Sequence, residues 1–287
     1  MATSRYFHFL RLARLDKPVG SYLLLWPTLS ALWLASQGWP GWHLFLVFTL
    51  GTLLTRSAGC VINDIADRKF DGLVKRTIDR PIPRGDIKVT EALIFMTLLC
   101  LLALLLVATT NLNTVLLAFL GATIAGIYPY MKQYTYMPQV ILGITFSFGI
   151  PMAFTAVHND VSKLTGLLFI ANLIWIVSYD TEYAMVDRDD DLKLGLKSSA
   201  ILFGDLDKFI IGALQLGFLC SLLLIWKVAN LHWPFLIGIF IAIIILAYQQ
   251  FLIKDRKRDR CFQAFLINHW LGLIIFLSIV IDLFFYT

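Results

Sequence analysis

Two short stretches of this 287-residue sequence gather carboxylates at helical spacing. The first reads NDIADRKFD and holds Asn63, Asp64, Asp67 and Asp71. The second reads DRDDD and holds Asp187, Asp189, Asp190 and Asp191. Steps of three and four put Asp64, Asp67 and Asp71 on one face of a helix, and Asp187 and Asp191 on one face of another. Like charges at that spacing repel by about 0.2–0.5 kcal/mol per pair, so a cation is expected among them. Carboxylates with no His or Cys nearby suit Mg²⁺. Mg²⁺ binds through one or two carboxylates and fills its shell with water and substrate phosphates. Arg68, Lys75, Arg76, Arg80, Arg84, Lys132 and Lys193 lie beside or between the two stretches. The pattern describes a diphosphate clamp. Asp64, Asp67, Asp71, Asp187 and Asp191 are expected on metal, and Asn63, Arg68 and Lys132 lead the candidates for phosphate. Asp189, Asp190, Asp205 and Asp207 read as solvated charges at helix ends.

The elements that must position these groups are set by composition. Apolar residues make up 59% of the chain and charged residues 15%, and the mean hydropathy is +0.76. A soluble protein has about 25% charged residues, so a water-soluble globule and a disordered chain are both excluded. The net charge of +5 does not indicate a nucleic-acid partner, and no protein partner is indicated. Cys60, Cys100, Cys220 and Cys261 have no CxxC spacing and read as apolar residues.

A membrane span needs about 20 mostly apolar residues. Nine stretches qualify: 19–36, 42–63, 90–109, 113–130, 138–156, 164–185, 208–227, 233–253 and 264–285. The expectation is an all-α, single-domain membrane protein over 1–287. No cleavable signal peptide is evident. Of the 24 basic residues, 21 fall in segments on one side of these spans and only Lys163 and Lys227 on the other, with Arg56 inside a span. Positive charge marks the cytoplasmic side. The N-terminus is therefore expected in the cytoplasm, with both acidic stretches on that side, and the lipid bilayer is the main surrounding partner. Segment 5–15, RYFHFLRLARL, spaces basic and apolar groups as an interfacial helix would.

The motif NDxxDxxxD after the second span and DxxxD after the sixth resemble the UbiA family of intramembrane aromatic prenyltransferases. Further stretches extend the resemblance over essentially the whole chain: RLDKPVGSYLLLWPT, AGCVINDIADRKFDG, KRTIDRPIPRG, IYPYMKQYT and YDTEYAMVDRDDDLKLGLKSSAILFG. Members often carry two adjacent basic residues after YPxM; this chain has Lys132 followed by Gln133.

The resemblance implies Mg²⁺-dependent transfer of a polyprenyl chain from polyprenyl diphosphate to the ring of 4-hydroxybenzoate, ortho to the hydroxyl, on the route to ubiquinone. It also implies the inner membrane of a bacterium. The residues can support that chemistry. Asp67, Asp71, Asp187, Asp191 and Arg68 would serve the leaving diphosphate. Tyr128, Tyr130, Tyr134, Tyr179 and Tyr183 offer aromatic faces to an allyl cation, or else form an interfacial belt. Arg56 is the one basic residue well inside a span, about 10 Å deeper than Asn63 on the same helix face. It is expected either to bind the acceptor carboxylate or to form an ion pair with Asp180. Two alternatives stay open: a family member with another aromatic acceptor, and a cation transporter. A CDP-alcohol phosphotransferase would need DGxxAR, and Leu73, Val74, Lys75 and Arg76 follow Asp71–Gly72 instead.

Overall fold

A computed structural model describes residues 5–69, 71–73 and 77–286. Lys75 and Arg76, candidates for phosphate, lie outside the described residues, as does Thr287. The described chain is all helix, with no strand. In order it forms α1 (Arg5–Leu12), α2 (Val19–Ser36), α3 (Gly41–Asp67), α4 (Val89–Val107), α5 (Leu112–Ile127), α6 (Met131–Tyr134), α7 (Pro138–Ser147), α8 (Gly149–His158), α9 (Lys163–Leu194), α10 (Ser199–Phe203), α11 (Asp207–Val228), α12 (Trp233–Ile253) and α13 (Arg258–Tyr286). Nine candidate spans are present among the described residues.

The span between 138 and 158 is two helices, α7 and α8, because its hydrogen-bond ladder is broken. Pro151 has no N–H to offer the Ser147 carbonyl, and Phe148 bonds back to Thr145 O at 3.3 Å instead. Elsewhere the ends are marked by ordinary capping chemistry. Asn111 accepts from Thr114 N at the start of α5. Ser162 and Thr165 form a reciprocal cap at the start of α9. Gly195, at φ +68°, ends α9 in the left-handed region.

Three spans run longer than their apolar stretches. α3 continues from the expected end at 63 to Asp67, α9 from 185 to Leu194, and α13 begins at Arg258 instead of 264. Hydropathy falls where the first carboxylates appear, but the backbone has no reason to leave the helix there.

α2 and α9 form the axis of the bundle. In each, 61% of the most apolar stretch is buried, against 6% for α4. α2 packs on α3, α8 and α13, while α9 packs on α7, α11 and α13. Leu32, Ile176, Phe235 and Leu271 sit in the shared core. α4 and α5 turn Leu98, Leu105, Leu116 and Phe119 outward, as lipid-facing helices do. α1 exposes Tyr6, Phe7 and Leu10, and Arg5 pairs with Glu91 at the start of α4. The C-terminal end of α3, the link 128–136, the C-terminal end of α9 and the link between α12 and α13 all meet at one end of the bundle.

Candidate functional site

The first acidic stretch does not continue as one helix. α3 stops at Asp67, and Asp71 begins a 3₁₀ turn over Asp71–Leu73. A helix carried through Asp71 would place a further carboxylate at the negative end of the macrodipole. The common helical face expected for all three aspartates therefore holds for Asp64 and Asp67 only. Asp71 is brought back by the connection that follows. Arg80 Nη1 lies 2.7 Å from Asp71 Oδ2 and 3.1 Å from Asp64 Oδ1. Thr77 Oγ1 donates to the Asp71 carbonyl at 2.8 Å.

Asp64 is fully enclosed, at 1% exposure. Arg14 Nη2 reaches both of its oxygens, at 2.7 and 3.0 Å. Arg14 itself holds a left-handed backbone, φ 58°, in the link between α1 and α2. Asp67 is met by Lys132, whose Nζ lies 2.6 Å from Oδ1. Three basic side chains thus answer the repulsion among these carboxylates. Arg68 is not one of them. It is exposed, and its Nη1 donates to the Ile65 carbonyl at 2.7 Å, answering one of the orphan carbonyls at the end of α3.

On α9, Asp187 and Asp191 stay half-buried at the same end of the bundle. Their neighbours are structural, and they are not simply solvated. Arg258 ties Asp189 and Asp190 to α13 at 3.2 and 3.0 Å. Asp207 is fully buried and is held by Arg256 at 2.7 Å. The Asp207 hydrogen bonds hold the Arg256 guanidinium above its ordinary pKa. The two acidic stretches are linked through residues 128–139. Lys197 N donates to the Lys132 carbonyl at 2.9 Å, Lys197 Nζ to the Tyr134 carbonyl at 3.2 Å, and Ser199 N to Gln139 Oε1 at 3.2 Å.

Deeper in the bundle lies a second group. Tyr128 is within electrostatic range of Asp180, Asp67, Arg56 and Tyr183, and Tyr179 is within range of Asp180 and Arg56. The Arg56 guanidinium carbon stands 5.5 Å from the Phe146 ring centroid. Its nitrogens press against Gly20 on α2 so closely that any side chain there would overlap them. Among the described residues Arg56 forms no ion pair, so the expected Arg56–Asp180 bridge is absent. The tyrosines separate. Tyr130 and Tyr134 are 42% and 72% exposed and lie on the surface, whereas Tyr128, Tyr179 and Tyr183 face inward.

Among the described residues no three acidic, His or Cys side chains gather closely enough to hold a metal by themselves. That excludes an all-protein cage there. A Mg²⁺ held through one or two carboxylates and phosphate oxygens does fit. The guanidinium of Arg80 already occupies a cation position between Asp64 and Asp71.

A model of the UbiA prenyltransferase family matches residues 24–287. The chain belongs to this family. It is 54% identical over 271 residues to a 4-hydroxybenzoate octaprenyltransferase of Tolumonas auensis, covering 94% of this chain and 95% of that one. It is 50% identical over 282 residues to the 4-hydroxybenzoate octaprenyltransferase of Escherichia fergusonii, covering 98% and 97%. Its fold matches the apo structure of a UbiA homolog from Aeropyrum pernix K1 at TM-score 0.81 and 22% identity, over 91% of this chain and 97% of that one. It also matches a UbiA homolog from Archaeoglobus fulgidus bound to GPP and Mg²⁺ at TM-score 0.73 and 17% identity, over 95% and 99%. Spacing arguments had no means of finding Arg14. Fifty residues separate it from Asp64, and in the sequence it is one more positive charge on the motif side.

Proposed function

We propose that the chain transfers a polyprenyl group from polyprenyl diphosphate to the ring carbon ortho to the hydroxyl of 4-hydroxybenzoate, releasing diphosphate, in ubiquinone biosynthesis. The observation that carries this is the gathering of Asp64, Asp67 and Asp71 around Arg14, Arg80 and Lys132, at the end of the bundle where α9 carries Asp187 and Asp191, above a half-buried Arg56. The names of the most similar relatives support the choice of acceptor.

In this reading Asp67, Asp71, Asp187 and Asp191 hold Mg²⁺, with Asn63 at their edge. Mg²⁺ supplies charge neutralisation that makes diphosphate a better leaving group. Asp64 serves both Arg14 and Arg80 and is the least available of the five. Lys132, Arg80 and Arg14 exchange carboxylate partners for phosphate oxygens. Arg suits that exchange through its bidentate geometry. Heterolysis of the allylic C–O bond leaves the electron pair on diphosphate. The ring carbon then bonds the allyl carbon and loses one proton. Tyr128 presents an aromatic face to the cation, and surrounding apolar helices exclude water that would quench it. Arg56 takes the acceptor carboxylate, and Asp180 shares its surroundings at Tyr128 and Tyr179.

The bias of basic residues supports placing this end in the cytoplasm of a bacterium, with nine spans through its inner membrane. The test is purified protein in liposomes with 4-hydroxybenzoate, a prenyl diphosphate and Mg²⁺. The expected product is the 3-prenylated acid by mass spectrometry, with diphosphate released in equal amount. A panel of naphthoate and phenol acceptors turned over as fast as 4-hydroxybenzoate would overturn the assignment of the acceptor.

A further inference from the structure

α9 carries a second polar face that the proposed reaction does not use. At 100° per residue, Glu182 lies about 160° around the helix from Asp180, about 140° from Asp187 and about 180° from Asp191. It points away from the acidic end and into the packing between α9, α11, α12 and α13. Its side chain is fully buried, and among the described residues no basic side chain pairs with it.

Amides surround it. Asn268 Nδ2 on α13 donates to Glu182 Oε2 at 3.2 Å, and Gln215 Nε2 on α11 approaches Oε1 at 3.3 Å. The same Gln215 nitrogen donates to Gln249 Oε1 on α12 at 3.0 Å. Gln250 Nε2 donates to Gln215 Oε1 at 2.9 Å. Asn268 Oδ1 accepts from Trp175 Nε1, about two turns earlier on the same face of α9, at 2.9 Å. Glu182, Gln249 and Asn268 are all at 0% exposure.

Such a chain is costly to bury unless its bonds are made. It is also directional in a place where little else is. Apolar residues surround α9, and lipid is as apolar as the bundle interior, so apolar contact specifies a helix's rotation only weakly in a bilayer. Hydrogen bonds to two different helices, one of them bonded on to a third, specify it closely. Buried polar groups have this registry role in other helical assemblies.

We infer that Glu182 is a positioning residue: from the back of α9 it sets the rotation that turns Asp180, Asp187 and Asp191 toward α3. The inference rests on the function proposed above. It acts through the carboxylates, so its loss changes how the acidic face binds cation and diphosphate rather than whether the bundle forms.

The test compares the full-length protein with Glu182→Leu and Glu182→Gln in detergent, reading the thermal midpoint, turnover, and Mn²⁺ binding by electron paramagnetic resonance with geranyl diphosphate present. Leu removes the polar hub while keeping its bulk, and both donors to Glu182 keep another acceptor, Asn268 Nδ2 the Ala264 carbonyl at 3.1 Å and Gln215 Nε2 the Gln249 Oε1 at 3.0 Å. The expected Glu182→Leu protein keeps its midpoint, binds Mn²⁺ at least fivefold more weakly and turns over at least tenfold more slowly. Glu182→Gln is expected within threefold of the unaltered protein in both. Its amide can rebuild the chain if Gln215, Gln249 and Gln250 all turn their amides, which also gives Gln249 Nε2, now without a partner, the Gln215 oxygen to meet. If Glu182→Leu does not insert, Gln215→Leu decides, with a threefold or greater weakening of Mn²⁺ binding expected. Mn²⁺ binding and turnover within twofold of the unaltered protein, in whichever leucine variant inserts, would overturn the inference alone. No Mn²⁺ binding by the unaltered protein would sink the proposed function, and this inference with it.

Discussion

Lys132 Nζ sits 2.6 Å from Asp67 Oδ1, while the carbonyl of the same lysine accepts the N–H of Lys197 at 2.9 Å. One residue thus touches the first acidic stretch with its side chain and the loop after the second with its backbone. The side chain is a movable contact and the backbone bond a fixed one. A diphosphate arriving between the stretches would draw the ammonium off Asp67 without disturbing the loop. Lys132→Ala should therefore keep the fold, costing about 1 kcal/mol for a partly exposed pair. It should raise the KM for prenyl diphosphate at least tenfold and leave the KM for acceptor nearly unchanged. Steady-state kinetics with each substrate varied in turn checks this, and an equal rise in both would count against the phosphate role.

Asp64 makes the opposite prediction. It is enclosed and serves Arg14 and Arg80 together, so removing it strands Arg14 and leaves Arg80 to Asp71 alone. Breaking a buried pair from one side costs about 3–5 kcal/mol. Asp64→Ala should lower the thermal midpoint clearly more than Asp187→Ala. The double change Asp64→Ala with Arg14→Leu should recover part of the loss. Thermal unfolding of the four proteins, treated as a double-mutant cycle, gives the coupling directly. Independent, additive losses would mean that Arg14 and Asp64 are not partners in the membrane.

Metal dependence follows from the four carboxylates left for it. Asp67→Ala, Asp71→Ala, Asp187→Ala and Asp191→Ala should each insert normally and lose activity at least a hundredfold. A chelator should do the same to the unaltered protein, and added Mg²⁺ should restore it. Two of these variants turning over normally at saturating Mg²⁺ would remove the clamp from consideration.

The spans were legible because a bilayer leaves the backbone no option but a helix of about 20 apolar residues. The ends of α3 and α9 were less so. Apolarity stops where Asp64 and Asp187 begin, yet the helices run on to Asp67 and Leu194. The acidic residues of the candidate site were legible from type and spacing, and Asp71 shows the limit of that method. Its spacing suits a continuous helix, but its position comes from a turn and from Arg80. Arg14 and Glu182 left no local trace at all. Arg14 lies far along the chain from its partner, and Glu182 is one carboxyl among several in a polar stretch, separated from them only by the direction it faces.

Sidedness tests the topology as a whole. In a background without its own four cysteines, a cysteine at Lys193 should react with an impermeant thiol reagent only from the cytoplasm. One at Lys227 should react only from outside. The two residues lie at opposite ends of the bundle, after α9 and α11 have each crossed once. Labelling of both from one side would break the antiparallel pairing of α9 with α11, and reversed labelling would overturn the orientation.

Arg56 carries the most specific prediction about the acceptor. A cation within a span costs about 2.5–3.5 kcal/mol on insertion scales, and here no carboxylate partner repays it among the described residues. Its guanidinium is wedged between Gly20 and the Phe146 ring, with Tyr128 and Tyr179 in electrostatic range. A ring lying against Tyr128 would bring a para carboxylate toward it. Arg56→Leu should weaken 4-hydroxybenzoate binding at least a hundredfold and prenyl diphosphate binding less than threefold. Gly20→Ala should act in the same direction more mildly, because the added methyl displaces the guanidinium without removing it. A phenol lacking the carboxylate should be an equally poor acceptor for the unaltered protein and for Arg56→Leu, since it has nothing to offer the missing cation. Isothermal titration of each ligand separates the cases. A loss shared equally by both substrates would mean that Arg56 holds the helices together and does not read the acceptor.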